Sequence, residues 1–393
     1  METWRKIRLG DACVTNTSSY SAKEGWKFVN YLDTGNITEN RIDSIWHIDL
    51  EDEKLPSRAK RKVRMNSIIY STVRPNQRHF GIIKMKPENF LVSTGFVVID
   101  VDTDIIDADF LYYLLAQPVF VEMLHAIAEQ STSAYPSIKP SDIENLEIEI
   151  PSLTTQKAIA SVLGSLDKKV NQNAEINKNL LAQAQAIFTE EFLSIDHIPD
   201  GWTESSLLGI ADYLNGLAMQ KFRPSGDEHG LPVLKIKELR QGSCDANSEL
   251  CSPSIKPEYI VRDGDVIFSW SGSLLVDFWC GGTCGLNQHL FKVTSNDYDK
   301  WFYFAWTNHH LQKFVAIAAD MATTMGHIKR EELTKAKVLI PLQSDYDRIG
   351  GLLAPLYDLV IANRIENRKL ASLRDELLPQ LMSGQLDVSE VSL

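Results

Sequence analysis

The sequence predicts an α+β protein: two similar α+β modules separated by two long antiparallel coiled-coil helices in a pseudo-two-fold arrangement. Three observations predict it. Residues 138–188 are echoed at 328–378 with a constant offset of 190: Ile138-Lys139 matches Ile328-Lys329, Pro151 matches Pro341, and Ile159, Leu163, Leu166, Val170, Asn173, Asn177 and Leu180 match Ile349, Leu353, Leu356, Val360, Asn363, Asn367 and Leu370. From Leu163 onward the matched positions step by three and four residues, the spacing of a coiled-coil seam. Before each seam, short strand-like runs surround one helix-like run, in the same order in both copies.

Trp4 and Trp202 open the two copies. In the first, 67–73, 96–101 and 146–150 read as strands, and 110–128 as a helix interrupted at Pro118. In the second, 261–269 parallels 63–71, and Trp301-Phe302-Tyr303-Phe304 parallels Phe110-Leu111-Tyr112-Tyr113. Framework positions are shared and loops differ, as expected of two readers of different targets. The first long helix is expected from Thr155 to about residue 193, with Ala184 and Ile187 closing its seam; the second from about Asp345 to 381, closing with Arg374 and Leu377. Ser344 and Asp347 form an S-x-x-D start signal. Pro355 stands where the first copy has Ser165, and predicts a kink or a later helix start. About 38 residues at 1.5 Å each span roughly 57 Å. The divisions are therefore 1–151, first module; 152–193, first spacer helix; 194–341, second module; 342–385, second spacer helix; 386–393, tail.

The first helix leads from one module to the other and the second has about the same length, so pairing on the seams requires an antiparallel return. Asn173 should then sit by Asn367 and Asn177 by Asn363, with Leu163 and Leu166 toward Leu377 and Arg374, Val170 near Leu370, and Leu180 near Val360. Polar residues at seam positions cost stability but fix register.

Hydrophobic content of 44% and charged content of 23% describe a soluble globular chain large enough for two cores. No apolar run approaches the ~20 residues of a membrane helix, and residues 1–5 lack a secretory signal. A cytoplasmic protein is expected. Cys13, Cys244, Cys251, Cys280 and Cys284 are odd in number and loosely spaced, and read as reduced thiols rather than a zinc framework. The net charge of −12 argues against nucleic acid, but its distribution does not. Between Lys54 and Lys86 lie ten basic residues and no acidic one; from Glu88 to Glu149 lie twelve acidic residues and only Lys139 of opposite sign. The first segment suits phosphates.

The order module, seam helix, module, seam helix resembles the specificity subunit of type I restriction–modification systems. Ser71-Thr72-Val73-Arg74-Pro75, Asn215-Gly216-Leu217-Ala218, the stretch 231–236, Trp270-Ser271-Gly272-Ser273-Leu274, and the ending 377–384 are similar to stretches of that family. The resemblance covers nearly the whole chain. It implies that each module is a target recognition domain reading one half of a bipartite, asymmetric double-stranded DNA site. It also implies that the helices set the unread gap and dock two methyltransferase subunits. S-adenosylmethionine would be carried by those subunits, and ATP and Mg by the partner assembly with its motor-nuclease subunits. No catalysis and no metal are expected in this chain. It has no Asn-Pro-Pro-Tyr or Asp-Pro-Pro-Tyr tetrapeptide, no G-x-x-x-x-G-K-[ST] loop and no G-x-G-x-x-G fingerprint. The rival readings are a DNA-acting enzyme, for which Asp263, Asp265, Asp277 and His289 are the nearest thing to a metal set, and a coiled-coil adaptor, which leaves the basic run unexplained.

The candidate DNA contacts follow from residue chemistry. Lys60, Arg61, Lys62 and Arg64 are expected at phosphates; Arg74, Asn76, Gln77 and Arg78 nearer base edges, where Arg suits guanine and Asn or Gln suits adenine. Ser133 and Tyr135 precede Ile138 in a polar loop. In the second module the comparable positions are Lys221, Arg223, Lys235, Trp270, Ser271, Gln288, His289 and His327.

Overall fold

The computed structural model describes residues 3–130, 136–320 and 328–391. The chain forms two compact units, one of residues 1–168 with 372–393, the other of 169–371.

In the first unit, Arg5–Arg8 pairs antiparallel with Glu147–Ile150, Arg5 opposite Ile150. One four-stranded sheet has the order Cys13–Thr15, Phe96–Val101, Ile68–Ser71, Phe80–Ile82. A second has the order Trp46–Asp49, Phe28–Leu32, Phe90–Ser93, Ala59–Lys62, with Phe28–Leu32 and Phe90–Ser93 running parallel. The second unit repeats these three sheets in the same strand order, whereas the short pair Ile37–Thr38 with Arg41–Ile42 of the first unit has no counterpart among its described residues. Thr203–Ser206 pairs with Lys337–Ile340. Asp212–Asn215, Leu290–Thr294, Val266–Ser269 and Leu275–Phe278 form one sheet; Leu250–Cys251, Leu231–Leu234, Cys284–Leu286 and Ile260–Val261 form the other, with the parallel pair at the same place.

The helix expected at 110–128 is two helices, Ala108–Ala116 and Pro118–Glu129, bent by 68°. Pro118 occupies the first turn of a new helix, and the residue before a proline avoids helical backbone, so Gln117 is extended. The second unit has His309 at the corresponding position and forms one helix, Lys300–Asp320. Among the described residues no single helix is long and apolar enough to cross a membrane; the bent pair buries Phe110, Leu111, Leu114, Leu115, Val121 and Leu124 in the core of its own unit.

The first long helix, Leu153–Phe188, has 36 residues and closes in a π turn, Thr189–Leu193. Ser152 stands just before it, its Oγ accepting the Thr155 N–H at 3.4 Å. Gln156 is wholly buried and fully bonded: Nε2 donates to Pro151 O at 3.0 Å and Ile105 O at 3.3 Å, and Oε1 accepts the Asp107 N–H at 2.8 Å. That anchors the first turn to the module. The second long helix, Gln343–Met382, has 40 residues. It begins at Gln343, so Ser344 lies inside the first turn instead of capping it, and Pro355 is not its start. Pro355 and Gly351, whose carbonyl the proline cannot serve, are both exposed, so water can satisfy that carbonyl.

Each unit packs the start of one long helix against the end of the other. In the first, Ile159, Ala160 and Leu163 share a core with Leu378, Leu381 and Met382, beneath Phe110 and Ile148. In the second, Ala184, Phe188 and Phe192 share a core with Ile349, Leu353 and Tyr357, beneath Phe268 and Phe302.

Candidate nucleic-acid interface

Both modules carry a loop of one design at the end of the central strand. In the first, Ser71 Oγ donates to Val73 O at 3.0 Å, and Thr72 O accepts the Ile138 N–H at 2.9 Å. In the second, Ser269 Oγ donates to Ser271 O at 3.2 Å, and Trp270 O accepts the Ile328 N–H at 3.1 Å. The fourth residue is left-handed in both: Arg74 at φ 49°, Gly272 at φ 65°. The frame is the same; the side chains it presents are not.

In the first module, Arg74, Asn76 and Gln77 are exposed around the short turn Pro75–Gln77. Arg78, also left-handed at φ 59°, is spent inside the fold, donating to Ala116 O at 3.1 Å and pairing with Glu39. Arg74 and Gln77 line a cleft of about 410 Å³ with Arg58, His79, Thr34 and Ser71, and no carboxylate lines it among the described residues. His79 Nδ1 lies 2.6 Å from Ile37 O, a carbonyl that can only accept, so Nδ1 donates to it. Arg58 was not singled out by the sequence; it sits in a basic run where every residue looked alike.

The basic strand Ala59–Lys62 divides as well. Lys60 and Arg64 are exposed. Arg61 is half-buried with its Nε unpartnered. Lys62 pairs with Glu24 and lies 5.1 Å over the Trp26 ring, so it is held within the module. Ser133, Tyr135 and His327 lie outside the described residues.

In the second module, four candidates converge. Ser271 Oγ and His289 Nδ1 are 3.1 Å apart, Gln288 Nε2 and His289 Nε2 are 3.3 Å apart, and the Trp270 ring centroid lies 6.1 Å from that of His289. Trp270 Nε1 donates to Asn215 Oδ1 at 3.0 Å. Lys221 is exposed, whereas Arg223 and Lys235 both pair with Glu249. One module thus offers a cationic cleft and the other an aromatic and amide cluster.

The carboxylates weighed as a metal set are engaged with bases. Arg368 grips Asp263 with two bonds of 2.7 Å, Arg364 meets Asp277 at 2.6 Å, and Lys292 meets Asp265 at 2.9 Å. The Arg368 guanidinium holds the Asp263 carboxyl below its usual range. Among the described residues no group of three or more His, Cys, Asp or Glu is placed to hold a metal ion. The five thiols are free, and burial pushes Cys13 up to about 12 and Cys280 to about 11.

On the paired helices, Asn173 Nδ2 donates to Asn367 Oδ1 at 2.8 Å and to Glu366 Oε2 at 2.6 Å; Asn363 Nδ2 donates to Asn177 Oδ1 at 2.8 Å. The free amides close on backbone: Asn367 on Val170 O at 3.1 Å and Asn177 on Val360 O at 3.4 Å. The two amide–amide bonds and the two amide–backbone bonds are each other's counterparts 190 residues away, so the asparagine layer is two-fold symmetric and the helices antiparallel; the bond to Glu366 has no counterpart, because Ile176 stands at the matching place. In the first unit, Arg374 meets Asp167 at 2.7 Å, and Tyr113 donates to the same carboxylate at 2.6 Å. Sequence spacing revealed the asparagines but not this triad, since the repeat puts Tyr357 and Ala184 at the matching places.

Two copies of one α+β framework, each presenting different side chains on one loop design, define a recognition protein made by duplication. The family model for the type I restriction modification DNA specificity domain matches residues 1–182 and 199–373, and the chain belongs to that family. It is similar to the type I restriction enzyme HindI specificity subunit of Haemophilus influenzae, 20% identical over 98% of this chain and 100% of that one. It is also similar to the MjaIX specificity subunit of Methanocaldococcus jannaschii, 26% identical over 79% of this chain and 76% of that one. A solved S subunit of a type I restriction-modification system from M. genitalium has the same fold, with a TM-score of 0.60 at 15% identity, covering 97% of this chain and 96% of that one.

Proposed function

We propose that this chain reads a bipartite, asymmetric DNA site, with residues 1–151 and 194–341 as its two target recognition domains and the helices 152–193 and 342–385 as the spacer between half-sites. Methylation and cleavage belong to partners: two methyltransferase subunits, with S-adenosylmethionine, docked on the helices, and motor-nuclease subunits using ATP and Mg. The observation that carries this reading is the shared loop with divergent side chains, Ser71-Thr72-Val73-Arg74 against Ser269-Trp270-Ser271-Gly272. A duplicated enzyme keeps its reacting groups; here the duplication keeps the frame and changes what faces outward.

In the first module, Arg74 and Gln77 read bases from the cationic cleft, and Arg58 joins them; an arginine fork matches guanine O6 and N7, and a glutamine amide matches adenine N6 and N7. Lys60 and Arg64 take phosphates. In the second, Trp270, Ser271, Gln288 and His289 form the reading surface, and Lys221 is its free cation. Lys62, Arg78, Arg223 and Lys235 act first as internal ion pairs and contribute to DNA binding indirectly. The test is a map of methylated adenines in the host genome with and without this gene. A two-part motif that vanishes with the gene is expected; an unchanged methylation map removes the reading.

A further inference from the structure

The reading loop of the second module is the tip of a hairpin whose foot stands on the second long helix. Val266–Ser269 and Leu275–Phe278 pair antiparallel, Ser269 opposite Leu275 and Val266 opposite Phe278. Trp270 and Ser271 lie at the tip, beyond Ser269. At the other end the pairing continues to Gly264, whose N–H donates to Trp279 O at 2.7 Å. There the helix Gln343–Met382 takes hold. Its Ile361, Arg364 and Arg368 step by three and four residues and so share one face. Arg368 grips both oxygens of Asp263 at 2.7 Å and also donates to Cys280 O. Arg364 donates to Asp277 Oδ1 at 2.6 Å and to Phe278 O at 3.2 Å. Both strands of the hairpin are therefore tied at the foot. Gly264 and Gly282 are left-handed, at φ 84° and 89°, and bring the two chain segments close to the helix; a Cβ on Gly282 would lie 3.5 Å from Arg368 Nη1.

The clamp belongs to one copy only. Residues 261–269 parallel 63–71, so Met65 stands for Asp263. Ile69 faces Gly81 where Ile267 faces Asp277, so Gly81 stands for Asp277. On the helix, Ala174 and Lys178 stand for Arg364 and Arg368. Two positions on the module and two on the helix thus differ together, and all four are needed for the two ion pairs. Partly exposed ion pairs contribute little to stability, whereas a two-pronged arginine–carboxylate contact fixes geometry. What this clamp contributes is an angle.

We propose that Arg364 and Arg368 are positioning residues for the second half-site, holding the second module at one angle on its helix and so restricting the unread gap to one length. The lever from foot to tip is short. Four strand residues at about 3.3 Å each span roughly 13 Å. A swing of about 15° at the foot then moves the tip by about 3.4 Å, one base-pair step. A held angle excludes the neighbouring gaps, and a released one admits them. The two arginines act through the hairpin, and the bases are read at its tip. This inference rests on the proposed function.

The test uses the full chain assembled with the methyltransferase subunit of its own system. Substrates are duplexes with both half-sites and the gap found by the methylation map, or one base pair fewer or more. Arg364→Met with Arg368→Met removes both ties. That change leaves two carboxylates without partners, so a second variant, Asp263→Asn with Arg368→Gln, removes the charge from both sides of one tie. The unmodified complex is expected to methylate the mapped gap alone. In both variants kcat/KM on at least one shifted gap is expected to rise by about tenfold or more relative to the mapped gap, with both half-sites still required. An unchanged ratio between gaps overturns the proposal, even where all rates fall together, because a uniform loss is what a merely structural tie gives. A single gap with a degenerate base in the second half-site overturns it too, since the arginines then serve base reading. Failure of both variants to fold, seen by near-UV circular dichroism, assigns the arginines to stability and overturns it likewise. If the unmodified complex methylates no two-part site, the proposed function itself fails, and that outcome is read before any variant is made.

Discussion

Arg74 carries a backbone cost that its counterpart Gly272 avoids. A left-handed non-glycine residue costs roughly 1–2 kcal/mol, while glycine loses about 0.5–1 kcal/mol through its freer unfolded chain. The two nearly cancel, so Arg74→Gly is expected to leave stability unchanged or raise it by up to about 1 kcal/mol, read by denaturant unfolding. Base reading is expected to suffer at the same time: one position in the first half of the methylated motif becomes degenerate, and the second half stays intact. A variant that loses stability and keeps its motif would show that the arginine serves the fold. At this scale the sequence was informative about chemistry and silent about allegiance. Arg74 and Arg78 look alike in a row of residues, but only the structure gives Arg78 to Glu39 and Ala116 and leaves Arg74 to the cleft.

Among the elements, the long helices were legible because a seam writes its period into the sequence and the duplication writes it twice. The second sheet of each module was not. Strands such as Ile260–Val261 are too short to show alternation, and the parallel partners Phe28–Leu32 and Phe90–Ser93 are far apart in sequence, so no local pattern betrays them. The asparagine layer makes a direct prediction. Asn173→Leu alone leaves the Asn367 carbonyl oxygen without its donor in a buried seam, and a cost of about 1–3 kcal/mol is expected. Pairing it with Asn367→Leu should recover much of that loss, and a double-mutant cycle measures the coupling. The helix Lys300–Asp320 makes another. Burial holds the imidazoles of His309 and His310 below 6.5. The folded unit then binds fewer protons than the unfolded chain, so stability is full above about pH 6.5 and falls as acid drives protons onto these rings. The melting temperature should drop from pH 7.5 to 5.5, and His309→Phe, which keeps the ring and removes the titration, should reduce that drop.

For the whole molecule, register is the property that joins fold to proposed function. Asn173 with Asn367 and Asn177 with Asn363 lie in the second unit, Asp167 with Arg374 in the first, and these pairs hold both helices in antiparallel register in each. Each unit's boundary falls within both helices, at Lys168 with Lys169 and at Ala371 with Ser372. Seven residues inserted at both boundaries add two turns to each helix and leave every one of these pairs with its own partner. Seven residues inserted at only one boundary give the two helices unequal lengths between the same pairs, so one set must break or one helix must bulge. Seven residues lengthen a helix by about 10 Å, close to three base-pair steps of duplex DNA. The matched insertion is therefore expected to give a stable protein whose methylated motif keeps both halves and gains about three unread base pairs. The single insertion is expected to melt at lower temperature and to lose methylation. A matched insertion that methylates the original motif, with its gap unchanged, would separate helix length from DNA spacing and leave the helices as docking surfaces alone.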